Sequence, residues 1–176
     1  NPGLASLVSD TIGDGWILNP SELKNLHKYA SDTSFQNAFA GVKAKNKERL
    51  AKYIFDTKGI KIDTNSMLDV QVKRIHEYKR QLLNLLHIMH LYNHVLDDSG
   101  HQIHPRTFLF AGKAAPGYRM AKLIIKLIHS VADTINNDPR MHDLLKVVFL
   151  EDYRVSVAEL IIPAAELSEQ DRKSVV

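Results

Sequence analysis

The chain has 176 residues, of which 44% are hydrophobic, and a formal net charge of +3 at neutral pH. That is enough apolar material for one folded domain or slightly more, and the mild basicity, with acids beside the bases along most of the chain, argues against a nucleic-acid-coating surface and for a local anion site. The lack of Cys excludes disulfides and thiolate metal centres and agrees with a cytoplasmic location, while the longest apolar segments, around 82–89 and 120–128, are too short and too often interrupted to cross a bilayer.

Helical punctuation dominates the beginning. Asn1 is expected to cap a helix that carries Pro2 in its first turn and ends near Gly13, and Asn19-Pro20-Ser21-Glu22 repeats the start signal for a second helix. Asp32 is placed to cap a third, long helix in which Phe35, Phe39, Val42, Leu50 and Ile54 recur at helical spacing until Gly59. Its Lys43 to Arg49 stretch reads as a mostly solvated face. From Ile60 onward the pattern alternates strand and helix. Met67 to Val72 alternates apolar and polar residues as a half-buried strand does, and further strands are expected at Thr107 to Ala111 and Lys146 to Leu150. Helices are expected from about Glu77 to Leu96, from about Pro116 to Asn136, and from Val155 to Ile162. This alternation predicts an α/β fold, a Rossmann-like parallel sheet flanked by helices, with a helical N-terminal portion. The polar loop Asp97-Asp98-Ser99-Gly100-His101 is the one linker-like segment.

Ligands of such sheets gather at the carboxyl ends of the strands, which here are Lys73-Arg74, Gly112-Lys113 and Asp152-Tyr153-Arg154. The first is the densest: Lys73, Arg74, Lys79 and Arg80 cluster between a strand and a helix. Cations at a helix start oppose the macrodipole at about 0.3–1 kcal/mol each, so such a run points to a compensating phosphate or carboxylate. The Ala111 to Tyr118 segment has neither GxGxxG nor GxxxxGK[ST] and reads as a tight turn between strand and helix. Glu151 to Arg154 reads most simply as a helix-start carboxylate with a locally paired Arg. His87, His90 and His94 share a helical face without the carboxylate context of a zinc site, so no metal is expected.

The run Asp69-Val70-Gln71-Val72-Lys73-Arg74-Ile75-His76-Glu77-Tyr78-Lys79-Arg80-Gln81-Leu82-Leu83-Asn84 closely resembles a signature of the glycogen, starch and maltodextrin phosphorylases. So do Gly112 to Tyr118, Phe149 to Ser156, Ile162-Pro163-Ala164-Ala165 and the opening Asn1-Pro2-Gly3-Leu4. The resemblance covers residues 1–170 and implies part of the C-terminal domain of a two-domain (GT-B type) glycosyltransferase. The implied activity is transfer of the terminal glucosyl unit of an α-1,4-glucan to inorganic phosphate, giving glucose 1-phosphate. The implied cofactor is pyridoxal 5'-phosphate, used through its phosphate. By the same resemblance, Arg74 and Lys79 are ligands of the substrate phosphate, Lys73 contacts the cofactor phosphate, and Tyr153 and Arg154 lie near the cofactor. A cytoplasmic homodimer is implied for the parent enzyme, with no nucleic acid or membrane partner.

Beyond Gln170 the family continues into a glycine-rich segment bearing the Schiff-base lysine, whereas Asp171 to Val176 stands here and Lys173 lacks that motif around it. Together with the start at Asn1, this leads to the expectation of a fragment with a non-family tail at 171–176, inactive by itself. The alternative reading is a non-catalytic phosphate-binding module. A nucleotide-sugar glycosyltransferase of similar architecture fits the motifs less well.

Overall fold

In a computed structural model, residues 1–97, 103–142 and 144–169 are described. The expected polar loop, apart from Asp97, and the tail lie outside them. Helix α1, Pro2–Ile12, begins where the Asn1 side chain accepts the Leu4 N–H and ends at Gly13, whose φ of 79° suits glycine. The second expected helix is a 3₁₀ helix, Pro20–Tyr29, with no buried residue. Its Leu23, Leu26 and Tyr29 recur every third residue, the period at which a 3₁₀ helix aligns its side chains. Helix α2, Thr33–Lys58, starts with the Asp32 carboxylate accepting the Phe35 N–H at 3.0 Å and stops at left-handed Gly59.

The Lys43 to Arg49 stretch of α2 corrects the expectation of a mostly solvated face. Lys43, Asn46 and Lys47 share the helical stripe of Leu50 and Ile54, and Asn46 and Lys47 are buried with them. The Lys43 ammonium donates to the carbonyls of Pro163 and Ala165, and that of Lys47 donates to the Ser66 carbonyl and pairs with Glu166 at 2.9 Å. Long stems let these lysines cover apolar surface while their heads find carbonyl and carboxylate oxygens.

Strands β1 (Met67–Val72), β2 (Arg106–Ala111), β3 (Leu145–Leu150) and β4 (Leu167–Ser168) form one parallel sheet in the order β3-β2-β1-β4. Helices α3 (Gln81–Asp97), α4 (Arg119–Asn136) and α5 (Val155–Ala164) connect them in turn. On one face, Leu85, Ile88, Ile124 and Ile128 of α3 and α4 pack on Phe108, Phe110, Val147 and Phe149. On the other, Leu50, Ile54, Val157 and Ile161 of α2 and α5 cover Leu68, Val70, Leu109 and Val148. The α/β class is thus as expected, with the helices removing both faces of the sheet from water.

Three local differences follow from this packing. β1 is not half-buried: Asp69 and Gln71 are 2% and 3% exposed, because α3 covers the face on which they lie. Helix α3 begins at Gln81 instead of Glu77, because a 3₁₀ turn at Glu77–Lys79 is closed by Arg80 in the left-handed region, φ 61°. β4 was not expected, since two residues carry no readable period. Among the described residues it pairs with β1 at Asp69 and Val70.

Candidate functional site

The chain runs β1, β2, β3 to one side and then crosses back to set β4 on the other side of β1. That reversal is a topological switch point, where crossovers depart to opposite faces and leave a crevice at the strand ends. A cleft of about 460 Å³ lies there, lined by Gln71, Lys73, Lys79, Arg80, Leu83, Asn84, His87 and Glu169. Three cations of the Lys73–Arg80 run therefore converge on one space.

β1 prepares this space through its alternation. Leu68, Val70 and Val72 enter the core beneath α2 and α5. Asp69 and Gln71 occupy the opposite face, toward α3, and Lys73 follows at the same spacing of two, so acid, amide and cation succeed one another toward the cleft. The Asn84 amide of α3 donates to Gln71 Oε1 at 3.1 Å, and Gln71 donates to the carbonyl of Lys79 at 3.2 Å. Gln81, fully buried, donates to the Arg74 carbonyl at 3.1 Å and accepts the His76 N–H at 3.4 Å.

The loop after β2 closes against the same segment. Lys73 N–H donates to the Ala111 carbonyl and Ile75 N–H to that of Lys113. Gly112 is more than a turn residue, because a Cβ there would stand 2.0 Å from the Lys73 carbonyl oxygen. Tyr118 reaches back across 41 residues, its hydroxyl accepting the Glu77 N–H and donating to the Glu77 carboxylate at 2.6 Å. Its ring lies against His76, which also packs on Tyr78.

Beneath the cations lies an acid pair. Asp69, beside Arg106 at 3.5 Å, is hydrogen-bonded to Glu169. Burial first, and then the neighbouring Asp69 charge, push the Glu169 carboxyl up to about 7, with Lys73 and Arg106 opposing. Burial also raises Asp69 against the pull of Arg106. The Asp69 charge thus favours the protonated form of Glu169, since two neighbouring carboxylates cannot both ionise cheaply.

Of the residues singled out from the sequence, Lys73 and Lys79 line the cleft half-buried, with the Lys79 ammonium 5.3 Å from the Tyr78 ring centroid. Arg74 is exposed beside them and does not line the cleft. Tyr153 and Arg154 follow β3, at the same edge of the sheet but two strand positions from β1, roughly 10 Å away. Tyr153 packs against the core under α5, and burial raises its phenol. Arg154 stands exposed at the N-cap of α5 and donates locally to the Ser156 hydroxyl, while Glu151 takes its cation, Lys58, from α2. His87 packs edge-on against Phe108, and His90 and His94 stack on each other. Gln71, Asn84, His87 and Glu169 were not foreseen in the site.

A family profile described as Carbohydrate phosphorylase matches residues 1–174. The chain belongs to the carbohydrate phosphorylase family. It is 54% identical to the glycogen phosphorylase of Bacillus subtilis over 97% of this chain and 21% of that protein. It is 52% identical to the human liver form of glycogen phosphorylase, over 97% of this chain and 20% of that protein. The rabbit muscle form is 51% identical over the same shares. The chain thus spans about a fifth of the length of these phosphorylases. Its four-stranded parallel sheet and flanking helices are the α/β architecture expected for the family.

Proposed function

We propose that this chain is the phosphate-binding part of a pyridoxal-phosphate-dependent α-1,4-glucan phosphorylase, which transfers a terminal glucosyl unit to inorganic phosphate. The observation that carries the reading is the convergence of Lys73, Lys79 and Arg80 on one cleft at the switch point of the sheet. Lys79 and, from the rim, Arg74 take the substrate phosphate; Lys73 faces the cofactor phosphate. The two cations act differently, the guanidinium of Arg74 being able to hold two oxygens in one plane while the ammonium of Lys79 serves as a point charge.

The donor set fits the phosphate of the cofactor, while the lysine that would hold its aldehyde is not among these residues. Lys73 and Arg154 supply positive charge for a phosphate, and Tyr153 supplies a half-buried ring, all at one edge of the sheet. When bound, the cofactor contributes a phosphate that exchanges a proton with the substrate phosphate. The chain's own residues hold the anions together: two phosphates at close range repel, and fixed cations with little water around them offset that repulsion. The parent enzyme is read as a cytoplasmic homodimer acting on glucan, without nucleic acid or membrane partners, and residues 1–170 as part of its C-terminal domain.

Titration with inorganic phosphate, followed by calorimetry or nuclear magnetic resonance, tests this reading. The 176-residue chain should bind phosphate at the residues of the cleft, and Lys73→Ala or Lys79→Ala should weaken binding about tenfold. Binding should weaken only slightly with salt, as befits a single small anion. Absence of phosphate binding, or binding indifferent to both substitutions, refutes the assignment. Because the chain spans about a fifth of its relatives, the expected outcome with glycogen and phosphate is no glucose 1-phosphate.

A further inference from the structure

We infer that Gln71 and Gln81, with Asn84 holding the former, are positioning residues of the phosphate site, fixing the cation loop through its backbone carbonyls. The inference builds on the phosphate reading for its purpose, while its geometry stands by itself. Lys73, Arg74, Lys79 and Arg80 lie within eight residues and repel one another, so a loop tied down only at its ends would spread them apart. Instead it is fastened at intervals. The carbonyl of Arg74 is taken by Gln81, that of Lys79 by Gln71, and the intervening N–H of His76 by Gln81 again. Ile75, 2% exposed, anchors the middle.

These amides are expensive to place. Gln81, Gln71 and Asn84 are all buried, and an amide removed from water without partners costs on the order of 1–3 kcal/mol. The hydrogen bonds that offset this cost go to the cation segment and to the amides themselves. Gln81 comes from the first position of α3 and Gln71 from β1, so two rigid elements grip the loop from different sides. Pre-organisation of this kind raises affinity because the anion need not order the loop that binds it.

The test compares the 176-residue chain with its Gln71→Met and Gln81→Met variants, which keep side-chain length and remove the amide. Ser66→Ala is the control: the buried Ser66 and Thr107 hydroxyls share a 2.8 Å hydrogen bond at the opposite edge of the sheet. Phosphate affinity and backbone ¹⁵N order parameters of residues 74–79 are both read. Each Gln→Met change should lower phosphate affinity about tenfold and bring those order parameters toward the flexible range, below about 0.6, while Ser66→Ala lowers the melting temperature and alters neither. Should Gln81→Met not fold, Gln81→Asn, which keeps the amide but withdraws it by one methylene, makes the same comparison. Wild-type order at 74–79 in the Gln variants overturns the inference, as does an equal loss in Ser66→Ala. Should the wild type not bind phosphate, the functional reading of the preceding section falls, and the order parameters alone decide the role of the amides.

Discussion

Glu169 does not behave as a surface carboxylate does. Asp69 faces it from β1, Lys73 from the end of that strand and Arg106 from β2, while Lys79, Arg80 and His87 share its cleft. Its folded value of about 7 exceeds the ordinary carboxylate value of 4.5. Below that ordinary value the group is protonated in both folded and unfolded chains and contributes nothing. Between the two values the folded chain keeps a proton that the unfolded chain has released, so its contribution to stability falls as pH rises and levels off above about 7. The melting temperature of the wild type should therefore decline from pH 5 to pH 8 more than that of Glu169→Gln. Sulfate, whose charge is constant over this range, should also bind the wild type less well at pH 8 than at pH 6, because a second negative charge then stands beside Lys73. The difference from Glu169→Gln isolates the pair from the other groups of the cleft. Parallel profiles in the two proteins contradict a proton held at Glu169.

The elements were legible where their signals are local. Asn1, Asp32 and Gly59 mark helix ends because a cap is a matter of one or two neighbouring residues, and the strands before Lys73, Gly112 and Glu151 stand out as apolar runs between turns. The cation run was equally plain, since charge density is written along the chain. The polar partners of those cations were not. Asp69 and Gln71 alternate with apolar residues, the pattern of a strand wet on one side, and only the placement of α3 over that side reveals them as interior. Glu169 enters the site through a two-residue strand that no periodicity announces. The Ala111 to Tyr118 loop shows the same limit: its glycine read as a turn residue, yet its main constraint is the carbonyl of Lys73. Gly112→Ala should displace that carbonyl, destabilise the chain by about 1–3 kcal/mol and weaken phosphate binding together with it. Unchanged affinity alongside reduced stability would separate the loop from the site.

At the scale of the whole molecule, the order β3-β2-β1-β4 sets the switch point of the sheet between β1 and β4. Each strand delivers its turn to the same edge, but only between β1 and β4 does the chain change direction across the sheet, and the cleft lies there. The general rule for such sheets points to three turns at once; the cleft lies at the first. Tyr153 and Arg154 stand on the far side of β2, away from that cleft. Buried Lys47, paired with Glu166, whose carboxylate also accepts the Leu68 N–H, ties α2 to the approach of β4.

The contacts of β4 also set an order of events. β1, β2 and β3 join through successive crossovers between neighbours, whereas β4 reaches β1 from about a hundred residues away, as its Asp69–Leu167 pairing shows. Closing the longer loop costs more chain entropy and is rewarded only once the strands it must meet are in place. In a refolding experiment, protection of the β1–β3 amides should therefore precede that of β4. Glu169 should join the cations only in the last phase, so the pH response of anion binding would report arrival at the finished topology.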